Sequence, residues 1–397
     1  MISIWQSESK GIKLLFFSFI LLQILLLVGF GLSRQLPLKS TTFLGLGMKE
    51  IVEWPLVWSR ANFDGFYYAK IAQEGYSYLQ QAFFPIYPLL IRWLKPIFGS
   101  YIISGLVISN LSFVGLLLTL WKILNQEKFS RPVINFTILS LILFPTSFYF
   151  VSVYTESFFL WLVFLSFYFA RKRQWLWAGL MGVLASGTRV VGIFLLPALL
   201  VEYYQQNKNK MTDRYILNHF KNLTFVSLSS LGLLGYMFYL KCTTGDWLYF
   251  AHVQSQFGAN RLTGRLVLLP QVFWRYLKMI FTVDPQQWLY FIVWLEFIIA
   301  LLFLILLSWG WFKRKEYQIR DSWLVFASLA YILPTLTGTF SSMPRYVLVC
   351  FPCFIVLAKA ITNLKKRFSL IKGVYLIFSL ILLVICTAFF FRGYWIA

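Results

Sequence analysis

A few polar residues stand out against an otherwise apolar chain. Asp64 lies in Asn62-Phe63-Asp64-Gly65-Phe66-Tyr67-Tyr68. A carboxylate set among aromatic rings suits a general base. It also precedes a helix-like run, Tyr67 to Glu74, whose first amides it could cap. Arg189, in Ser186-Gly187-Thr188-Arg189, and Arg345, before Tyr346, carry a charge that cannot be shed and that needs an anionic partner. Phosphate oxygens match the guanidinium fork. A structural ion pair with Asp64, Glu156 or Asp246 would satisfy the arginines as well. Glu156, in Tyr154-Thr155-Glu156-Ser157, can cap the helix that follows, hold a substrate hydroxyl or orient Arg189. Asp246, His252 and Gln254 form another polar group, although a histidine in such a place is more often simply hydrogen-bonded. Phe83-Phe84-Pro85-Ile86-Tyr87-Pro88 carries two prolines three apart, which stiffen the chain where an apolar segment begins.

The elements that position these residues are read from composition. Of 397 residues, 59% are hydrophobic and 13% charged, against about 25% charged in a soluble domain. Apolar runs of membrane-spanning length recur along the chain. Spans are expected near 14–33, 99–121, 132–150, 157–170, 223–241, 288–312, 322–340, 346–362 and 370–391, with a broken apolar stretch at 175–203. That stretch is too short for two full crossings and is read as a broken hairpin, two short helices meeting at a bend that holds Arg189. The expected fold is an all-α, polytopic membrane protein of about 11 transmembrane helices, forming a single domain over 1–397. The first apolar run follows Lys10 and Lys13, lacks a small-residue cleavage site and is read as a retained span.

Orientation follows from the short loops. Lys122, Lys128 and Arg131 precede the run at 132–150, Arg171, Lys172 and Arg173 follow the next, and Lys313, Arg314, Lys315 and Arg320 come later. The alternate connections at 151–156 and 341–344 carry no Lys or Arg. The positive-inside rule then places the N-terminus and the basic loops in the cytoplasm. Two long connections, about 34–98 and 242–287, fall outside, and their mix of aromatic, aliphatic and basic residues predicts amphipathic helices on the membrane surface. Asp64, Glu156, Arg189, Asp246, His252, Gln254 and Arg345 all fall toward that outer side. The net charge of +22 reads as cytoplasmic loop charge, not as nucleic-acid binding. Two distant histidines, His219 and His252, and four cysteines, three of them in apolar runs, give no metal-ligand set and no disulfide framework. Glu296, in Trp294-Leu295-Glu296, lies inside an expected span, and the sequence gives it no role.

The run Phe63 to Tyr76, with Ala82 to Leu90, resembles the PIG-V-like mannosyltransferases of the GT-C superfamily. Phe144-Pro145-Thr146-Ser147 through Ser157, Gly182 to Arg189 with Leu195 to Leu200, Gly245-Asp246-Trp247 to Gln254, and Arg345-Tyr346 with Phe351-Pro352 are similar to the same family, in order. The chain departs from the family where Phe63 replaces a tryptophan, where Phe66-Tyr67 replaces a nearby histidine, and where Val190 replaces a proline. The resemblance implies a GT-C-like bundle. It implies transfer of a hexose, with mannose first, from a polyprenyl (dolichyl or undecaprenyl) phosphate to the hydroxyl of a glycolipid or glycan acceptor at the non-cytoplasmic face. Asp64 would be the base of an inverting displacement, and Arg189 and Arg345 would hold the donor phosphate. Tyr67, Tyr68, Tyr87, Tyr154, Glu156, Asp246, His252 and Gln254 are the further candidates for substrate contacts. No cofactor is implied, and a single aspartate without a neighbouring carboxylate points to metal-independent transfer. The rival readings are a lipid or solute transporter or flippase, and a non-catalytic membrane subunit. Compact basic loops fit a bacterial plasma membrane; in a eukaryote the endoplasmic reticulum is expected.

Overall fold

A computed structural model describes residues 2–39, 54–208, 216–257, 261, 266–364 and 368–396. Among these there is no strand. The first helices are α1 (Ile2–Ser33), α2 (Asp64–Glu74), α3 (Ile86–Phe98), α4 (Tyr101–Gln126) and α5 (Arg131–Ile142). They are followed by α6 (Glu156–Arg171), α7 (Trp175–Ser186), α8 (Leu195–Asn207), α9 (Ile216–Ser227) and α10 (Leu231–Thr244). The last are α11 (Leu269–Thr282), α12 (Trp288–Tyr317), α13 (Asp321–Thr335), α14 (Phe351–Asn363) and α15 (Phe368–Phe391).

Five helical segments among the described residues are long and apolar enough to cross a membrane: Gly11–Ser33, Tyr101–Gln126, His219–Thr244, Trp288–Tyr317 and Leu370–Phe391. A sixth follows if Met343–Val349 and Phe351–Asn363, bent by 81°, count as one span. The chain is thus a multi-pass integral membrane protein, and among the described residues the helices of full spanning length are fewer than the eleven or so that hydropathy predicts. The difference has a physical cause. In the run at 132–150 the α-helix ends at Ile142, ahead of Pro145, and Ser147–Val151 turns as a 3-10 helix. Phe148, Tyr149, Phe150 and Val151 are all fully buried, so this stretch is apolar because it is packed inside protein. In the run at 322–340 the helix stops at Thr335, one residue past Pro334.

The helices gather into two compact units. One comprises 1–70, 90–161 and 354–396; the other comprises 71–89 and 162–353. In the first unit α1 lies along α15 so closely that a Cβ on Gly29 would come 2.8 Å from the Thr387 methyl. Gln23 of α1 donates to Asn110 of α4 at 2.7 Å, and the Trp121 indole covers Gly11. Small residues that let helices approach, and polar pairs between them, hold bundles together where lipid removes the hydrophobic drive.

The second unit shows the same device. A Cβ on Gly179 would meet the Phe225 carbonyl at 2.0 Å, and one on Gly182 would meet Ser229 at 2.4 Å. A Cβ on Gly232 would meet the Val183 carbonyl at 2.0 Å and the Gly187 amide nitrogen at 2.4 Å. The glycines therefore set how near α9 and α10 come to α7. At the basic end of this unit the buried Glu202 carboxylate accepts from Ser322 and Gln206, each at 2.7 Å, and pairs with Arg171 at 3.2 Å. These bonds tie α6, α8 and α13 together. Of the two long connections, the first contains α2 and α3 and the second contains α11. On α11, Val272, Tyr276 and Ile280 are buried at a spacing of four, while Trp274 and Phe281 are exposed. This is the two-sided pattern of an amphipathic helix.

Candidate functional site

Asp64 opens α2, and its position is fixed from both sides in the first unit. Phe63 has φ +56°, a left-handed conformation rare for a bulky residue, which costs about 1–3 kcal/mol. Its ring is held edge-on by Trp395, with ring centres 4.9 Å apart, and is tilted against Phe390. Asn62 is fully buried; its Nδ2 donates to the Phe390 carbonyl at 2.8 Å, and its own carbonyl accepts from the Tyr154 hydroxyl at 2.8 Å. The Val153 amide donates to the Arg60 carbonyl at 3.0 Å. Gly65 leaves room for this contact, because a Cβ there would approach the Val153 carbonyl at 3.0 Å. The start of the block Phe63 to Tyr76 and the end of the block Phe144 to Ser157 are thereby joined in one unit. Asp64 itself is half-buried at the start of its helix.

The flanking candidates divide by exposure. Tyr67 is half-buried, and burial, then the Asp64 charge, raises its phenol above the ordinary value. Tyr68, Tyr154 and Glu156 are buried. The Tyr154 hydroxyl is engaged by Asn62, so its visible work is to pin the strained turn before Asp64. Glu156 is the first residue of α6, in line with the capping alternative.

The second unit assembles the arginines. Arg189 sits in extended backbone, φ −150° and ψ 144°, in the gap between α7 and α8. Its guanidinium lies over the Tyr346 ring at 5.7 Å, and that of Arg345 lies over the same ring at 5.3 Å. A tyrosine face attracts cations through its quadrupole, which lets two like charges share one neighbourhood. Arg345 is buried, and Arg189 and Tyr346 are half-buried. The Phe83-to-Pro88 segment backs the bend. The Ile86 amide donates to the Gly187 carbonyl at 3.2 Å, Tyr87 is fully buried, and Phe84 packs on Tyr236 and Phe250. In this structure the proline segment is therefore a brace for the bend carrying Arg189.

Asp246, His252 and Gln254 belong to the same unit and serve differently from one another. Asp246 pairs with His252 Nδ1 at 2.6 Å and accepts the Leu248 amide at 2.9 Å. The His252 hydrogen bond first, and that amide second, hold its carboxyl below the usual range. The pair is exposed. Gln254 accepts from Arg261 at 3.0 Å, and Arg261 also reaches the Ser342 hydroxyl at 3.5 Å.

Arg261 escapes a sequence reading, and Tyr346 enters it only as part of the Arg345-Tyr346 block, because one ring in a chain with 22 Tyr carries no signal of its own. Glu296 receives its partners here: its carboxylate accepts from the Tyr276 hydroxyl at 2.5 Å and from the Ser342 amide at 3.2 Å.

No protein-family model matches the chain, and no curated protein does. Among solved structures, the crystal structure of ArnT from Cupriavidus metallidurans bound to undecaprenyl phosphate is similar, with a TM-score of 0.51 and 15% sequence identity. The match covers 90% of this chain and 61% of that one, so the chain spans less than two thirds of its neighbour's length. At this identity the likeness is one of fold: the chain shares the helical fold of that structure.

Proposed function

We propose that the chain is a membrane glycosyltransferase that moves a hexose, with mannose the first candidate, from a polyprenyl phosphate to the hydroxyl of a glycolipid or glycan acceptor at the non-cytoplasmic face. The observation that carries this reading is the convergence of Arg189 and Arg345 on the ring of Tyr346. Two fixed guanidinium groups suit a phosphate whose charge grows as a bond breaks. The fold is shared with a protein whose structure holds undecaprenyl phosphate. The ordered sequence blocks favour the PIG-V-like branch and hence mannose.

In the proposed reaction Asp64 takes the proton of the acceptor hydroxyl. The acceptor oxygen attacks the anomeric carbon, and the bond from that carbon to the phosphate oxygen breaks with inversion. The released polyprenyl phosphate carries the new charge, which Arg189 and Arg345 stabilise. The reaction as written draws on a carboxylate and two cations and on no further group. A transporter or flippase would also bury arginines and break a helix, but it has no use for an aspartate braced behind a strained residue.

Radiolabelled mannosyl polyprenyl phosphate and a membrane lipid extract, supplied to purified wild type and Asp64→Asn in detergent, test the reading. Transfer by wild type alone supports both the activity and the base. Transfer by both keeps the enzyme and removes Asp64 from its role. Absence of transfer with mannosyl and other polyprenyl-linked sugars overturns the proposal in favour of the transporter or the non-catalytic subunit.

A further inference from the structure

We infer that Glu296 is a positioning residue whose carboxylate, from within α12, fixes the turn that presents Arg345 and Tyr346 to Arg189. The inference rests on reading the arginine pair as the lipid-phosphate site. A carboxylate inside an apolar helix is costly and persists where it is partnered. Glu296 is 4% exposed, and its bonds do nothing for α12 itself; they all go to the turn and the helix beside it. One oxygen accepts the Ser342 amide at 3.2 Å. The other accepts the Tyr276 hydroxyl at 2.5 Å, and that hydroxyl oxygen in turn accepts the Phe340 amide at 3.2 Å. The Gly338 carbonyl accepts from Arg275 at 3.0 Å.

This clamping answers a need of the backbone. Gly338 has φ +85° and Ser342 has φ +68°, and a serine in the left-handed region holds only where its surroundings insist. The Ser342 carbonyl then accepts the amides of Arg345 at 3.1 Å and Tyr346 at 3.0 Å, which starts the short helix Met343–Tyr346. The orientation of Ser342 therefore decides where the Arg345 guanidinium and the Tyr346 ring arrive. Loss of the carboxylate leaves the buried Ser342 amide without its acceptor and the Tyr276 hydroxyl with only the Thr339 hydroxyl, at 3.2 Å, and lets the turn relax. Arg345 and Tyr346 then lose register with Arg189.

The test measures binding of undecaprenyl phosphate to the purified full chain, with tryptophan fluorescence as the readout, alongside the thermal midpoint. The variants are Glu296→Leu, Glu296→Gln, Tyr276→Phe and, for the site itself, Arg345→Ala. Glu296→Leu should weaken binding at least about 10-fold, the scale of one lost hydrogen bond to a charged group. Glu296→Gln keeps an oxygen for the Ser342 amide and should restore most of the affinity, which separates the acceptor from the charge. Tyr276→Phe, which keeps the ring and loses the hydroxyl, should fall between the two and decides the matter if Glu296→Leu does not fold. Wild-type affinity in Glu296→Leu and Tyr276→Phe, with Arg345→Ala weakened, overturns the positioning role. Wild-type affinity in Arg345→Ala overturns the phosphate site instead, and the inference with it.

Discussion

Phe63 holds φ +56° one residue before Asp64, one of the places where a non-glycine residue is kept in the left-handed region. Strain in such a place persists only when neighbours over-determine it, and Trp395, Phe390, Asn62 and Tyr154 do so here. Removing the Tyr154 hydroxyl with Tyr154→Phe should lower stability by about 1 kcal/mol and should reduce transfer more than that loss explains, because Asp64 shifts; parallel melts and turnover assays check this. The exposed Asp246–His252 pair makes a pH prediction. A carboxyl held below its unfolded value stabilises above that value, and the contribution is lost as the pH falls through the folded one. The difference in thermal midpoint between wild type and Asp246→Asn should accordingly be small near neutrality and vanish in acid. Asp64, Arg189 and Arg345 stand out in the sequence as candidates because charges in apolar surroundings are conspicuous. The partners of Glu296 do not, since Tyr276 and Ser342 come to it only through the fold.

At the scale of elements, the bend that carries Arg189 depends on close backbone approach. Gly232 lies against the Val183 carbonyl and the Gly187 amide, and neither is a flexible side chain that could move aside. Gly232→Ala should therefore cost about 1–3 kcal/mol through overpacking and should weaken polyprenyl phosphate binding as well, because Gly187 is two residues from Arg189. Thermal melts and lipid binding on the same sample would show whether the two losses travel together. The position of the bend was readable from Ser186-Gly187-Thr188-Arg189, which interrupts an apolar run. The helix ends at Ile142 and Thr335 were not, because hydropathy does not tell a lipid-facing residue from one packed inside protein. Phe148 to Val151 look like membrane and are core.

Across the whole molecule, the charge pattern predicts an orientation that a single thiol can report. Cys242 is exposed at the end of α10, while Cys350, Cys353 and Cys386 are buried. If the connection after α10 is non-cytoplasmic, a membrane-impermeant maleimide should label intact cells at Cys242, and Cys242→Ser should abolish the signal. Labelling that requires lysis would reverse the assignment. The multi-pass class was legible from 13% charged residues; the number of full crossings was not, since several apolar runs fold as shorter helices.

The ring shared by Arg189 and Arg345 has a kinetic corollary. A sugar-loaded carrier is a phosphodiester with one negative charge. The spent carrier is a monoester, which gains most of a second charge above a pKa of about 6. Two guanidinium groups around one tyrosine would grip the spent carrier harder than the loaded one. Escape of the used lipid, not sugar transfer, would then set the pace, and inhibition by free polyprenyl phosphate should deepen as the pH rises through about 6 and level off above neutrality.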